Sequence, residues 1–483
     1  EANLDNLRSA GFDPAASGAG SPNDLILAAR AETEEAAEGA LDAMEEMLSA
    51  VQTVGGSEAG EVRPRTLRSA LRRRPGANFC LISVPGPFVR REAEAALEAG
   101  LHCMIFSDNV PIEDEVRLKA LADERGLLVL GPDCGTAIIG GRALAFANVV
   151  SAGPVGIVGA SGTGIQAVSV LVDRLGSGIS HALGTGGRDL SRAVGGRSML
   201  RGIGMLAEDE STKVIVLVSK PPDPGVMKRV LEAAAGTGKP AVGVFLGGDA
   251  EAVRELGVHP AADLEEAARA AVALASGEPP AGGAGGPAGD GGAWSRWIEE
   301  ERDRLAPGQR FIRGLYSGGT LCDEAMLILR DAVGEIHSNV PLEDGRGLDD
   351  PNRSVGHTVV DLGEDFFTRG RPHPMIDPGV RNDRILREAG DAEAAVLLLD
   401  VVLGFGAHED PAGSAAEAVR AAREAAGKAG RGLSVVASVC GTEGDPQVLS
   451  AQEGVLREAG VRVFPSNARA ARFAAALARA IAS

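Results

Sequence analysis

A short apolar run that ends in a Ser-Gly-Thr or Ser-Gly-Gly-Thr turn and leads straight into a helical pattern occurs twice in this chain. The first runs from Val155 through Ser161, Gly162 and Thr163 to Gln166. The second runs from Ile312 through Ser317, Gly318, Gly319 and Thr320 to Ala325. A strand that turns tightly into a helix aims free backbone N–H groups out of the turn, and the helix dipole adds partial positive charge there. Glycine lets backbone approach an anion closely, and the Ser and Thr hydroxyls add donors. Two such turns predict a site for a phosphoryl, phosphate or carboxylate group. Ser and Thr also serve as ordinary helix N-caps, and Gly is ordinary in strand–helix turns. It is the duplication that favours the anion.

Apolar runs and helical patterns alternate along most of the chain. Strands are predicted at 78–84, 102–107, 127–130, 155–159, 181–184, 214–219, 241–246, 395–401 and 433–439, with helical patterns between them. This alternation is the signature of βαβ units on a parallel sheet. The fold class is therefore α/β, with successive doubly wound, Rossmann- or flavodoxin-like parallel-sheet domains. Residues 277–293, rich in Gly and Pro, read as a linker. The expected organisation is an N-terminal α/β segment at 1–60, two α/β domains at 61–150 and 151–276, the linker, and a C-terminal α/β domain at 294–483. The chain begins at Glu1, not Met, and the first segment is expected to be truncated. The last two domains look like diverged copies, the later one carrying an insertion at 339–381 without a counterpart in the earlier.

The chain has 483 residues and a formal net charge of −19, which argues against nucleic acid or an anionic membrane surface as the partner. An acidic chain that binds anions must do so locally, through backbone donors and a few Arg or Lys. The five cysteines are scattered without a C-x-x-C pair, which reads as reduced thiols in the cytoplasm. No stretch is long and apolar enough for a transmembrane helix. No metal site is expected, because His357 and Asp361 lack a zinc spacing.

The insertion is the densest polar cluster. It holds His357, Asp361, Glu364, Asp365, Arg369, Arg371, His373, Asp377 and Arg381. Arg suits a bidentate grip on carboxylate or phosphate, and His suits proton transfer near neutral pH. His357, Arg371, His373 and Asp377 are the candidate catalytic residues; the alternative is a loop of solvated charges. Further anion-binding candidates are Gly186, Gly187 and Arg188, which follow a strand in a Gly-rich turn. Lys220 follows the strand at 214–219, and Gly441 and Thr442 follow the last predicted strand. These positions fall at the C-terminal edge of a parallel sheet, where ligands bind in open α/β folds.

The stretch Phe79-Cys-Leu-Ile-Ser-Val-Pro-Gly-Pro-Phe88 resembles the succinyl-CoA synthetase α-subunit, as do Asp108-Asn-Val-Pro111, Leu130-Gly-Pro-Asp-Cys134 and Val155–Thr163. Finer motifs resemble one branch of that superfamily, the FdrA proteins. They are Gly184-Thr-Gly-Gly-Arg-Asp-Leu190, Ser219-Lys-Pro-Pro222, Arg313-Gly-Leu-Tyr-Ser-Gly-Gly-Thr-Leu-Cys-Asp-Glu324, Gly356-His357-Thr358, Arg371-Pro-His-Pro-Met-Ile-Asp377 and Gly441-Thr-Glu-Gly-Asp-Pro-Gln447. The resemblance implies domains of succinyl-CoA synthetase type: a CoA-binding-like Rossmann domain at 61–150 and ligase-like domains at 151–276 and 294–483. The chain departs from that family in two places. The phosphohistidine loop is replaced by Val244-Phe-Leu-Gly-Gly-Asp-Ala250, without His, and no Gly-rich CoA-nucleotide turn is recognisable before residue 78.

By resemblance, the expected activity is transfer of a carbamoyl or acyl group to or from phosphate. The best named match is oxamate carbamoyltransferase of purine (allantoin) breakdown. An NDP-forming acyl-CoA synthetase is the alternative, and a non-catalytic scaffold subunit a third reading. The ligands implied are small anions: carbamoyl phosphate, phosphate, oxamate or an acyl phosphate. CoA, or Mg²⁺ entering with a phosphate, are the possible cofactors. Partner subunits or a homo-oligomer are expected, with neither nucleic acid nor membrane.

Overall fold

The computed structural model describes residue 12 and residues 27–31, 33–54, 64–280 and 291–483. The linker expected at 277–293, and much of the N-terminal segment expected at 1–60, lie partly outside these. The chain divides into two compact units, residues 1–77 with 369–371, and the remainder of 78–483. In the first unit two helices are described, Glu34–Val54 and Leu67–Arg73. Thr66 and Ser69 close a reciprocal capping box at the start of the second.

The second unit carries three sheets. The first is parallel and ordered β1-β2-β3, from β1 (Phe79–Ile82), β2 (His102–Ile105) and β3 (Val129–Leu130). The second takes in β4 (Thr136–Ile139), β5 (Arg142–Ala145), β6 (Ala152–Gly159), β7 (Ile179–Gly184), β8 (Val214–Ser219), β9 (Ala241–Phe245) and β10 (His259–Pro260). Its order is β10-β9-β8-β6-β7-β4-β5. The third takes in β11 (Phe311–Tyr316), β12 (Ile336–His337), β13 (His357–Asp361), β14 (Ala394–Val402), β15 (Ser434–Cys440) and β16 (Arg462–Phe464). Its order is β12-β13-β11-β14-β15-β16.

The central strands are buried along their whole length, as in β8 (Val-Ile-Val-Leu-Val-Ser) and β14. Such runs need helices on both faces, which is why they form parallel sheets. Within the second sheet β7-β6-β8-β9-β10 repeats the topology of β13-β11-β14-β15-β16 in the third. The two α/β units are copies in topology.

Two features differ from the expectation. β13 lies inside the segment read as an insertion, and it pairs with β11 as β7 pairs with β6. The strand His357-Thr-Val-Val-Asp361 was hidden because its ends are polar and its neighbours are rich in charge. The second sheet also gains an antiparallel hairpin, β4–β5, from residues that lead out of the first sheet.

The two larger sheets share one hydrophobic cluster, which runs from Ile157, Val216 and Val244 to Ile312, Leu398 and Val436. The helices Gly162–Arg174, Leu264–Ala275, Gly319–Val333 and Asn467–Ala482 supply many of its other members. Polar ties cross this layer. The buried Glu324 carboxylate accepts the Leu264 N–H at 2.8 Å and the Asn467 side-chain N–H at 2.8 Å. Elsewhere the buried Lys119 ammonium binds Glu115 and Asp189, each at 2.8 Å, and the Thr185 carbonyl at 2.9 Å. That joins the helix Ile112–Arg125 to the turn after β7.

Candidate functional site

The two Ser-Gly-Thr turns meet. Ser161 caps the helix Gly162–Arg174, its Oγ accepting the Gly164 N–H at 3.0 Å. The same Oγ shares a hydrogen bond of 2.6 Å with Thr320 Oγ1, in the first turn of the helix Gly319–Val333. The Thr320 N–H in turn donates to Thr163 Oγ1 at 3.3 Å. Two helix N-termini from two sheets therefore converge, each at the point where strand order reverses (β7-β6-β8 and β13-β11-β14).

Among the described residues no acceptor reaches the N–H groups of Gly162, Thr163 and Gly319. A fourth donor is nearby. Thr136 is buried, its Oγ1 has no partner, and it lies 3.5 Å from where a Cβ on Gly162 would stand. Buried polar groups are rarely left unpaired. Three open N–H groups and one orphaned hydroxyl fit a phosphoryl or carboxylate oxygen.

The second turn is not equally open. The N–H groups of Ser317 and Gly318 both donate to the buried Asp400 carboxylate at 2.8 Å. The buried Arg381 donates to the Asp400 carbonyl at 2.7 Å and to Ser317 Oγ at 3.3 Å. Burial raises the Asp400 carboxyl, against the pull of Arg381 and the two N–H groups. Ser317 and Gly318 thus already hold an internal anion; of this turn, Thr320 hydrogen-bonds the first turn, Gly318 packs against the Thr163 methyl, and Gly319 faces Asp361.

Asp361 ends β13 beside the open donors. Its Oδ1 accepts the Gly363 N–H at 2.9 Å, and its Oδ2 lies 2.7 Å from where a Cβ on Gly319 would stand. Burial pushes its carboxyl up to about 7, although the Gly363 N–H and Lys220 pull it down. His373 reaches the same place. A Cβ on Gly363 would meet His373 Nε2 at 2.6 Å and Asp361 Oδ1 at 3.2 Å, so only glycine fits between them. The Met375 N–H donates to His373 Nδ1 at 3.2 Å, which puts the ring proton on Nε2. Burial lowers the imidazole to about 4, so it is neutral near pH 7. Lys220 closes this side through a 2.5 Å ion pair with Asp323 of the helix Gly319–Val333. Burial opposes its charge, but Asp323 and then Asp361 outweigh that and raise the ammonium.

The other candidates lie elsewhere. His357 opens β13, four residues and about 13 Å along the strand from Asp361. Its Nδ1 accepts the Ile312 N–H at 3.2 Å, and burial with Arg313 lowers it to about 4. Asp377 is exposed and accepts the Gly379 N–H at 3.0 Å, at the start of the helix Gly379–Ala389. Arg371 is exposed in the bend before Pro372 and groups with the N-terminal unit. Arg188 pairs with Glu115 at 2.9 Å and donates to the Val110 carbonyl at 2.8 Å. Gly186 and Gly187 belong to the same turn, which Lys119 ties to the helix Ile112–Arg125. Thr442 donates to the Val149 carbonyl at 2.6 Å, and its N–H is taken by Asp445. Gly441 packs on Leu403. The Arg188 and Thr442 donors thus tie these turns into the fold, while the N–H groups of Gly186, Gly187 and Gly441 meet no acceptor among the described residues.

Sequence reasoning missed Thr136, Asp323 and Asp400. Asp400 sits within a leucine-rich buried strand, Thr136 in a hairpin, and neither carries a motif. The one available signal was a lone carboxylate inside an apolar run, which is rarely buried without a partner.

A CoA-binding domain model matches residues 150–247, a CoA-ligase model residues 315–477, and an AllF heavy metal-associated domain model residues 1–64. The matched N-terminal residues contain neither His nor Cys. The chain is 46% identical over 422 residues to the uncharacterized protein YahF of Escherichia coli (strain K12), covering 85% of this chain and 79% of YahF. It is 29% identical over 152 residues to the succinate–CoA ligase [ADP-forming] subunit alpha 2 of Archaeoglobus fulgidus, covering 31% of this chain and 52% of that one. It therefore spans about half the length of that relative. Among solved structures, the dinucleotide-forming acetyl-coenzyme A synthetase 1 of Ca. Korarchaeum cryptofilum overlaps with a TM-score of 0.35 at 16% identity, over 84% of each chain.

Parallel sheets with paired helix N-termini, under CoA-binding and CoA-ligase models, define a succinyl-CoA synthetase-like protein of the acyl-CoA ligase type. Within that class the chain belongs to the FdrA family.

Proposed function

We propose that this chain is a ligase-type subunit that exchanges an acyl group between phosphate and the CoA thiol. The phosphate is held between the Ser161 and Thr320 turns. The observation that carries this reading is the 2.6 Å contact between those hydroxyls, which brings the turn with the open Gly162 and Thr163 N–H groups, and the unpartnered Thr136 beside Gly162, against the turn with the open Gly319 N–H. In the step, the thiol sulfur attacks the acyl carbon, the carbon–oxygen bond to phosphate breaks, and the thiol proton ends on the released phosphate. Preorganised N–H donors stabilise the charge that develops on that oxygen. Asp361 holds or passes the proton, and His373 orients it through Nε2–H. CoA is the co-substrate, Mg²⁺ an accompanying ion, and a partner subunit a source of further groups.

A second reading has one observation in its favour. The turn Phe245–Gly248 closes by a 2.7 Å backbone bond and bears no histidine, so a phosphoryl carrier is absent from that loop. Transfer of a carbamoyl group between phosphate and oxamate needs the anion site but no carrier. Calorimetric titration with CoA, acetyl phosphate and carbamoyl phosphate separates the two. Binding of CoA and acetyl phosphate supports the ligase. Binding of carbamoyl phosphate without CoA supports the transferase. If Ser161→Ala leaves every anion affinity unchanged, both readings fail.

A further inference from the structure

An open cleft of about 570 Å³ lies at the β16 edge of the third sheet, remote from the turns in sequence and built on other elements. Four arginines line it: Arg304, Arg423 of the helix Pro411–Lys428, Arg457 of the helix Leu449–Glu458, and Arg462 of β16. Trp297 and Phe464 form its apolar wall. In a chain of net charge −19, four guanidiniums on one cleft are a local inversion of sign.

The available carboxylates do not saturate them. Glu301 Oε1 is shared between Arg462 at 2.9 Å and Arg304 at 3.3 Å, and Glu300 takes Arg462 at 2.6 Å. Glu453 takes Arg457 at 2.7 Å. Among the described residues Arg423 has no carboxylate partner at hydrogen-bond distance; its Nη1 donates to the carbonyls of Gly460 at 2.8 Å and Ala459 at 3.4 Å. Burial lowers its guanidinium, Glu301 opposes that, and Arg304 and Arg462 add to it. Guanidiniums that crowd one another keep donors free for oxygens in fork geometry, which phosphate oxygens match.

We propose that this cleft binds a polyphosphate-bearing small molecule of nucleoside-diphosphate size, at a site distinct from the facing turns. Its phosphates lie against Arg423 and Arg457, with Arg304 at the rim. Arg462 stacks over the Trp297 ring at 5.5 Å and links ligand charge to the indole. The chain has two tryptophans, Trp294 and Trp297, and both pack on Phe464. Tryptophan emission is therefore a local reporter.

The experiment is a fluorescence titration of the full chain with ADP and, separately, inorganic pyrophosphate. The expected result is a saturable change with at least one of them. It should weaken tenfold or more in Arg423→Ala and in Arg457→Ala, and persist in Ser161→Ala. Equal response to both ligands assigns recognition to the phosphates alone; a stronger response to ADP adds the nucleoside. Arg423→Lys, which keeps the charge but not the fork, should bind in between and guards against a misfolded Ala variant. No saturable change in the wild-type chain overturns the proposal. So does equal affinity in the arginine variants, or a change that follows protein concentration without ligand and so marks a contact between copies.

Discussion

Ser161 Oγ and Thr320 Oγ1 stand 2.6 Å apart although 159 residues separate them, and each opens a helix on a different sheet. Neither hydroxyl is needed to close its own sheet. Their contact brings two half-sites together. Removing one should therefore act on the ligand more than on the fold. Ser161→Ala deletes a cap worth about 1 kcal/mol of stability. Thr320→Val keeps shape and leaves the capping of its helix unchanged. Each is expected to weaken phosphate or acyl-phosphate binding about tenfold, the equivalent of one charge-assisted hydrogen bond. Calorimetry at fixed pH reads this directly, and unchanged affinity in both variants would reject the paired-turn site.

Asp361 predicts a pH dependence of known sign. Its carboxyl is raised by burial to about 7 in the folded chain, above the usual carboxylate value near 4. The folded state therefore holds the proton more tightly. Stability falls as pH rises from about 4 to about 7 and the penalty is complete above that. Asp361→Asn should flatten this part of the stability–pH curve. Anion binding by the wild-type chain should weaken as pH passes through about 7, while the Asn variant stays level. Parallel curves for the two proteins would contradict this.

Lys119 is a structural charge. Its ammonium sits between Glu115 and Asp189 with almost no exposure. Lys119→Met removes the ammonium that two buried carboxylates share and leaves Glu115 with its Arg188 pair and Asp189 without an ion pair, which should cost about 3–5 kcal/mol. A urea midpoint close to that of wild type would show that the pair relaxes into solvent.

His357 and His373 should separate cleanly. His357→Ala removes the acceptor of the Ile312 N–H and the edge contact with Phe311, at 5.3 Å between ring centres. It should cost about 1–3 kcal/mol of stability and leave anion affinity unchanged. His373→Ala should lower turnover with a smaller loss of stability. Thermal melts and activity assays on the two proteins, run side by side, decide this; the reverse pattern would move the catalytic assignment to His357.

Much of the fold was legible because parallel strands write themselves as uninterrupted apolar runs, and Val155–Gly159, Val214–Ser219 and Ala395–Val401 all read that way. The paired turns were legible because a helix start needs Ser, Thr or Gly at fixed places. β13 was not, since two hydrophobic residues between His357 and Asp361 look like any polar loop until β11 is known to lie beside them. Asp361 appeared in the sequence as one charge among many. What distinguishes it is depth, which spacing does not encode. Arg188 and Thr442 carried the right chemistry at strand ends, yet their donors are taken by Val110, Val149 and Asp445. Residue type and strand end alone do not tell a vacant donor from an occupied one.

Asp400 has a further consequence. The two halves repeat one topology, and a perfectly symmetric pair would offer two equivalent seats for an anion. In the C-terminal half the chain's own carboxylate takes the Ser317 and Gly318 N–H groups, neutralised by Arg381. The repeat is thereby made unequal: one half brings an empty cradle and the other a filled one. On the proposed function, the expected stoichiometry at this junction is one added anion per chain, oriented by which cradle is empty.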